Sequence, residues 1–242
     1  MFLVLINLLI NGKAIVYEIK TDLDKVNFAN ISVRVSDKFM EAVESNADWE
    51  LFFERPETGE KITRTIIAKE IFELLCKTNW DYAEPGILFW DNINNYHLQS
   101  EVEEFSYAGT NPCAEEPLPS SGSCLLGSLN LSAFVCENGV FNAKEFSCCV
   151  ELAVRALNKV QEEGIYKHPL KSQIDCAHDW KQIGLGIMGL ADMLIKMEIT
   201  YGSKEAIDIC DIIGNLMTRT AIKTSADIAK FSGAYPKWNQ KV

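Results

Sequence analysis

The residues best suited to chemistry in this 242-residue chain lie in the segment Thr110-Asn111-Pro112-Cys113-Ala114-Glu115. In an extended segment, alternate side chains share one face, which would bring Asn111, Cys113 and Glu115 together. Pro112 and Pro117 favour such a backbone, because the residue before a proline avoids the helical region. The three side chains would supply a hydrogen-bond donor, a sulfur centre and a general base. Spacing alone favours a plainer alternative, a half-buried loop whose polar side chains hydrogen-bond their own backbone.

A second thiol, Cys124, follows Cys113 by eleven residues, in a segment that reads Ser-Cys-Leu-Leu-Gly-Ser-Leu-Asn-Leu from Ser123. If the chain returns along the same loop, the two sulfur atoms could approach each other. The alternative is structural, because a free cysteine often serves as a small buried hydrophobe. The residues alone leave both interpretations open.

Together these segments resemble the catalytic loop of the ribonucleotide reductase large subunit. The resemblance rests on Asn-Pro-Cys-Ala-Glu-Glu-Pro-Leu-Pro from Asn111 and on Gly-Ser-Cys-Leu-Leu-Gly-Ser-Leu-Asn-Leu from Gly122. Further segments agree in order and spacing: 30–33 with 36–40, 84–91, and 183–192. The resemblance runs from about residue 15 to Pro236, which is nearly the whole chain.

The resemblance implies a role for each residue of the loop. Cys113 would carry a thiyl radical that abstracts the ribose 3′ hydrogen, Glu115 would remove the 3′-hydroxyl proton, and Asn111 would orient the substrate. The substrate-binding residues would be Asn111, Pro112, Cys113, Ala114 and Glu115. Cys124 matches one member of the dithiol that donates electrons after the 2′-hydroxyl leaves as water. A thiol suits reversible hydrogen transfer because its S–H bond is weak, and a dry pocket protects the intermediate.

The chain departs from the family pattern at two positions and matches only part of it. Ala114 stands where glycine is frequent, and Leu125 stands where asparagine is common, which removes a polar side chain beside Cys124. In the family, the second cysteine of the reducing pair and a glycine-rich effector loop lie upstream of the matched residues. The phosphate-binding turns and the last barrel strands lie downstream of Val242. We therefore expect a middle slice of the catalytic barrel, incomplete by itself.

The implied function is reduction of ribonucleotides to 2′-deoxyribonucleotides, with a thioredoxin- or glutaredoxin-type reductant. The loop, together with Ile87-Leu88-Phe89-Trp90-Asp91, is more similar to the adenosylcobalamin-dependent branch than to the branch whose radical comes from a separate di-iron subunit. In that second branch this chain would need no cofactor of its own. A second hypothesis is a non-catalytic piece of a split reductase that works with the missing portions as separate chains.

A third hypothesis, an NAD(P)-linked oxidoreductase, rests on Gly184-Leu185-Gly186-Ile187-Met188-Gly189. This is a literal G-x-G-x-x-G pattern, but a dinucleotide fingerprint must follow a strand and open a helix. Here His178-Asp179-Trp180-Lys181 precedes it and the apolar pattern continues through Ile195. We interpret these glycines as sites of close helix packing.

The loop must be positioned by a fold of the α/β class, and the resemblance implies a partial ten-stranded α/β barrel. A central finger loop would carry Cys113 into the barrel, and a helical segment would follow. We expect one partial catalytic-barrel domain over 1–242, with strands, helices and the finger loop in 1–135 and mainly helices in 136–242.

Hydrophobic periodicity predicts the individual elements. Strands are expected at Met1–Ile10, Ile31–Val35, near Trp49–Phe53, at Ile87–Trp90 and at Leu129–Val135. Helices are expected from Ser36-Asp37 onward, and at Lys61–Trp80, Ala143–Glu163, Asp175–Met197 and Ser203–Phe231. Turns are expected at Thr58-Gly59, Pro85-Gly86 and Asn138-Gly139, and Phe105–Ser128 reads as an irregular stretch.

Composition excludes several classes of protein. The 23 basic and 34 acidic residues give a net charge of −11, which argues against a nucleic-acid partner. No apolar run approaches the roughly 18 residues that span a bilayer, and Met1–Ile10 has no basic n-region of a signal peptide, so we expect no membrane association. Eight cysteines without a C-x-x-C pair, and only three histidines, argue against a zinc site and favour reduced thiols in a cytoplasmic enzyme.

The remaining candidate residues receive structural interpretations. Cys76, Cys148, Cys149 and Cys210 fall within helical patterns and are expected in the core, whereas Cys136 and Cys176 lie near element ends. None of His97, His168 and His178 belongs to a nucleophile–base arrangement. Tyr107 and Tyr201 are conceivable radical carriers, and the sequence does not decide this point.

Overall fold

A computed structural model of the chain describes residues 30–97, 99 and 101–238, together with the backbone of Phe2–Leu5. The chain forms two compact units, residues 1–117 with 241–242, and residues 118–240. The content is mixed α/β, as expected. The described strands form one three-stranded and three two-stranded sheets and no closed barrel, so the ten-stranded barrel is not confirmed. The expected single partial-barrel domain over 1–242 stays a prediction.

The first unit is built on a parallel sheet in the order β1 (Phe2–Leu5), β2 (Ile31–Val35) and β5 (Gly86–Phe89). Strand β1 agrees with the strand predicted at Met1–Ile10, whose other residues lie outside the described part. Strand β2 was expected from its alternation, yet Ser32 is as buried as Ile31. Both faces of β2 are covered, as is usual for a central parallel strand.

Two helices and a hairpin pack against this sheet. Helix α1 (Asp37–Glu44) begins at Ser36, whose hydroxyl caps the helix by accepting a hydrogen bond from the Phe39 amide. Strands β3 (Asp48–Glu54) and β4 (Lys61–Ile67) form an antiparallel pair, and helix α2 (Ala68–Tyr82) follows directly. The core of the unit joins buried side chains from β2, α1, β3 and α2: Val33, Val35, Phe39, Ala42, Leu51, Ala68, Ile71 and Leu75.

The helix predicted at Lys61–Trp80 is wrong in its first third, because Lys61–Ile67 is strand β4. Its isoleucines have helical spacing, but Thr63 and Thr65 alternate with them and β-branched residues favour a strand. Pairing with β3 over seven residues decides the outcome. The strand predicted at Ile87–Trp90 is confirmed up to Phe89, after which helix α3 (Trp90–Asn95) begins.

The stretch expected to be irregular, Phe105–Ser128, contains two short paired strands, β6 (Tyr107–Thr110) and β7 (Pro117–Pro119). The division between the two units falls within β7. Strand β8 (Leu126–Asn130) of the second unit also begins inside this stretch. The prediction of irregular structure is therefore correct only for the connecting segments.

The second unit combines a parallel pair, β8 and β9 (Gly184–Met188), with helices α4 (Ala143–Gly164), α5 (Lys171–Trp180), α6 (Leu190–Lys196) and α7 (Lys204–Ser232). Short 3₁₀ turns lie at Leu131–Phe134 and Ile165–Lys167. The predictions for α4 and α7 are confirmed within about one residue at each end. No helix in the described part of the chain is long and apolar enough to cross a bilayer.

Two predictions in this unit are wrong. Leu129–Val135 is not one strand, because the Asn130 side chain accepts a hydrogen bond from the Ser132 amide and turns the chain into a 3₁₀ helix. Asp175–Met197 is not one helix, because the apolar run Gly184–Met188 pairs with β8 as a strand. The glycines at 184 and 186 therefore lie in a strand, and their interpretation as helix-packing sites is also wrong.

The junction between β9 and α6 is closely packed against the end of β8. Gly189 precedes α6 with φ of +69°, a conformation that other residues rarely adopt. A Cβ atom at this position would lie 2.1 Å from Asn130 Oδ1. The same Oδ1 already accepts hydrogen bonds from the Ser132 amide and hydroxyl. Glycine is therefore required here on both conformational and steric grounds.

We expect Gly189→Ala to lower the free energy of unfolding by about 2–3 kcal/mol, because it combines backbone strain with a steric overlap. The matched control is Gly214→Ala in α7, where an added Cβ meets nothing within 4 Å. That control should raise stability by roughly 0.5–1 kcal/mol, the helix preference for alanine. Urea unfolding followed by circular dichroism measures both, and equal effects of the two substitutions would contradict the close packing at Gly189.

Candidate functional site

The segment that carries Cys113 is a tight turn closed at both ends by hydrogen bonds. The Asn111 amide donates to the Glu116 carbonyl at 3.2 Å, and the Glu116 amide donates to Asn111 Oδ1 at 3.0 Å. The Ala114 amide donates to the Asn111 carbonyl at 3.0 Å, which closes a second, smaller turn inside the first. Cys113 lies at the exposed tip between these hydrogen bonds.

The extended backbone expected for 111–115 is therefore wrong. Pro112 and Cys113 occupy a turn, and an i to i+3 hydrogen bond replaces the alternation of an extended strand. Asn111 is half-buried, whereas Pro112, Cys113, Ala114 and Glu115 are exposed. The convergence of Asn111, Cys113 and Glu115 no longer follows from alternation, and it stays a prediction.

Ala114 has φ of +69°, in the left-handed region that glycine adopts at no steric cost. In the family that this loop resembles, glycine is frequent at the same position, and the positive φ accounts for that preference. The alanine therefore carries a small strain that the hydrogen bonds of the turn must offset. Alanine in place of the family's frequent glycine therefore leaves the backbone hydrogen bonds of the turn in place.

Strand β6 leads into the turn and is held by aromatic side chains. Tyr107 packs against the rings of His97 and Phe105, with ring centroids 4.9 Å and 5.1 Å away. Burial raises the pKa of the Tyr107 phenol above its ordinary value. At the other end of β6, the buried Thr110 donates its hydroxyl to the Asn111 carbonyl at 2.9 Å. Tyr201, by contrast, is exposed in the second unit.

Cys124 lies in the second unit, in the segment that leads into β8. Its side chain is exposed, and no disulfide joins it to Cys136, Cys148 or Cys149. The expected approach of Cys124 to Cys113 stays a prediction.

The family model described as "Ribonucleotide reductase, barrel domain" matches residues 17–242. The chain belongs to this family. The match includes the Cys113 turn, the Cys124 segment and both strands of the β8–β9 pair. The motifs quoted for the resemblance thus lie within the matched residues.

Curated relatives of the chain are named vitamin B12-dependent reductases. The ribonucleoside-diphosphate reductase of Thermoplasma acidophilum is 35% identical over 209 residues, which are 86% of this chain and 26% of the relative. That of Mycobacterium tuberculosis is 33% identical over 210 residues, 86% of this chain and 29% of the relative. A ribonucleotide reductase of Streptomyces clavuligerus is 33% identical over 220 residues, 88% of this chain and 22% of the relative. The chain thus spans about a quarter of the length of these reductases.

The apolar pocket of the second unit is too small for the corrin cofactor. It measures about 200 Å³ and is lined by Leu131, Leu185, Gly186, Ile187, Leu190, Cys210, Ile213, Gly214 and Met217. Pockets for drug-sized ligands measure about 300–1,000 Å³, and a corrin is larger than such ligands. No group of three metal-binding side chains is present among the described residues.

The other cysteines of the chain are less buried than expected. Cys76, Cys148 and Cys210 are exposed, so their assignment to the core is wrong, and Cys149 is half-buried against the core of the second unit. Helical periodicity alone could not separate a core position from a neighbouring exposed one. Cys136 is exposed and lies just after the 3₁₀ turn Leu131–Phe134, near an element end as expected. Cys176 is half-buried and lies in the middle of α5, so its expected place near an element end is wrong.

Because Ala114 is left-handed and Ala108 is not, we expect replacement by glycine to change the free energy of unfolding in opposite directions at these two alanines. We expect Ala114→Gly to raise the free energy of unfolding by about 0.5–1 kcal/mol, because glycine relieves the strain at positive φ. Ala108→Gly, in the ordinary extended backbone of β6, should lower it by about the same amount. Urea unfolding monitored by tryptophan fluorescence tests both, and destabilisation by Ala114→Gly would contradict the turn geometry.

Proposed function

We propose that this chain is the part of a ribonucleotide reductase that carries the radical cysteine, and that the assembled enzyme converts ribonucleotides to 2′-deoxyribonucleotides. The observation that carries the proposal is the exposed position of Cys113 at the tip of a closed turn, in a chain that matches the barrel family. A thiol that reacts with a bound substrate must be held by a backbone whose position relative to the substrate is fixed. The hydrogen bonds of the turn supply such a backbone.

In the proposed reaction, a thiyl radical on Cys113 takes the hydrogen atom from the ribose 3′ carbon, so that a C–H bond breaks and an S–H bond forms. Glu115 accepts the 3′-hydroxyl proton as a general base, and the 2′-hydroxyl leaves as water. A dithiol supplies two electrons and two protons and becomes a disulfide, and Cys124 is one of its two sulfurs. One of these protons leaves with the 2′-hydroxyl in the water molecule, and the other forms the new C–H bond at the 2′ carbon together with the electron pair. Glu115 returns its proton to the 3′ oxygen. The Cys113 thiol finally returns its hydrogen atom to the 3′ carbon.

Asn111 has one donor group left for substrate. Its Oδ1 accepts from the Glu116 amide, so the Nδ2 amino group is the part of the side chain that can hydrogen-bond a ribose oxygen. Pro112 and Ala114 complete the proposed substrate-contacting run through the backbone and small side chains of the turn. This division of the Asn111 carboxamide supports its proposed role in orienting the substrate.

The proposed radical source is adenosylcobalamin, which is supported by the names of the relatives. When bound, it would supply the one-electron oxidation that makes the Cys113 thiol a thiyl radical. Since the pocket of the second unit is too small for it, the remaining parts of the reductase would contribute its binding site. The alternative source is a separate di-iron subunit, and the final reductant would be a thioredoxin- or glutaredoxin-type protein.

The two other hypotheses differ in their support. The Gly184–Gly189 pattern gives an NAD(P) site no support, because its first five residues are strand β9 itself rather than the turn after a strand. The hypothesis of a piece that needs a complement is supported by the span of the chain, about a quarter of its relatives. We propose that the remaining segments act with it, in the same chain or as separate chains.

We expect Cys113→Ser to abolish deoxyribonucleotide formation by the assembled enzyme, because a serine O–H bond is too strong for the same radical exchange. The matched control is Cys136→Ser, which removes another exposed thiol outside the turn and should leave turnover within about twofold of the parent. Chromatographic detection of deoxyribonucleotide product measures both variants. Turnover that survives Cys113→Ser would exclude the thiyl mechanism.

We expect the 242-residue chain alone to show no reductase turnover when adenosylcobalamin, a ribonucleotide and a dithiol are supplied. Positioning and electrostatic stabilisation provide most of an enzyme's rate, and the phosphate-binding turns of the family lie outside the matched segments. Adding the remaining reductase segments should restore turnover. Robust product formation by the chain alone would contradict its dependence on a complement.

A further inference from the structure

Arg34 joins the parallel sheet of the first unit to the strand that leads into the Cys113 turn. It lies in β2, and its Nη2 donates to the carbonyl of Ala108 in β6 at 3.0 Å. Its guanidinium carbon lies 4.1 Å from the centre of the Trp90 ring, at the start of α3. Three separate elements of the unit therefore meet at one side chain.

The position of the guanidinium in these contacts removes part of its hydration and so disfavours its charged form. Arg34 is only half-exposed, and burial lowers its pKa from the ordinary value. Its Nε is buried and has no hydrogen-bond partner among the described residues. An apolar side chain of similar length would avoid these desolvation costs. Stability alone therefore does not account for an arginine at this position.

The hydrogen bond acts on the strand closest to the reactive loop. Ala108 precedes Asn111 by three residues, and β6 is only four residues long. An extended strand transmits displacement along its backbone, so a shift at the Ala108 carbonyl moves the start of the turn. The ring of Trp90 limits the directions in which the planar guanidinium can move.

We propose that Arg34 is a positioning residue that fixes the Cys113 turn relative to the parallel sheet, through the Ala108 carbonyl and the Trp90 ring. The part of this proposal that concerns catalysis rests on the proposed function of Cys113. The part that concerns the placement of the turn does not.

Hydrogen exchange of the 242-residue chain tests the placement. In Arg34→Met, which keeps an unbranched apolar stem but removes the guanidinium, the amides of Asn111, Ala114 and Glu116 should exchange about tenfold faster, because a hydrogen bond from a charged donor is lost. Trp90→Leu should act in the same direction, and Arg34→Lys should give an intermediate rate because it keeps one charged donor. The matched control is Lys61→Met, which removes a cation lying 4.7 Å over the Phe52 ring in the β3–β4 hairpin. It should leave the exchange of the turn unchanged.

An unchanged exchange rate of the turn in Arg34→Met would overturn the proposal. So would equal acceleration of all amides in residues 30–97, since that result indicates general destabilisation. In the assembled reductase, Arg34→Met should lower kcat about tenfold with KM within twofold, and Arg34→Lys should restore part of kcat. An unchanged kcat would overturn the catalytic part. If Cys113→Ser retained turnover, the proposed function would fail instead, while the exchange result would still decide the placement.

Discussion

The pair of hydrogen bonds between Asn111 and Glu116 is the constraint on which the placement of Cys113 depends. One joins the two backbones, and the other joins the Glu116 amide to the Asn111 side chain. Only four residues lie between these two, so the chain must reverse sharply, and Ala114 adopts a left-handed conformation as a result. The exposure of Cys113 follows, since a turn this short leaves no room to bury the residues at its tip.

Asparagine side chains end strands in both units of the molecule. Asn111 follows β6 and Asn130 ends β8, and in each case Oδ1 accepts a hydrogen bond from an amide further along the chain. Such local bonds compete with continuation of a strand. At Asn130 the consequence extends to the neighbouring strand, because the crowded carboxamide requires glycine at 189. A short polar side chain at a strand end thus determines the conformation on both sides of it.

The sequence predicted correctly those elements whose apolar residues fit only the helical or only the strand spacing. It also predicted those that begin or end at a distinct capping or turn residue. The helices α1 and α7 begin where they were expected, and in the structure Ser36 and Ser203 cap their first turns. Lys61–Ile67 and Gly184–Met188 were misassigned because short apolar runs satisfy the helical and the strand period alike. Their partners, β3 and β8, decide the conformation, and pairing is a tertiary property. The site residues were found by resemblance, whereas the conformation of their turn depends on hydrogen bonds that spacing does not reveal.

The turn also explains why an amide, rather than a carboxylate, suits position 111 in the proposed mechanism. The Glu116 amide needs an acceptor, which either side chain could provide. After that bond is made, an asparagine still has an Nδ2 donor, whereas an aspartate has only a further acceptor and a negative charge. A charge beside Glu115 would disfavour ionisation of the proposed base. One carboxamide therefore closes the turn with its oxygen and remains available to a ribose oxygen with its nitrogen.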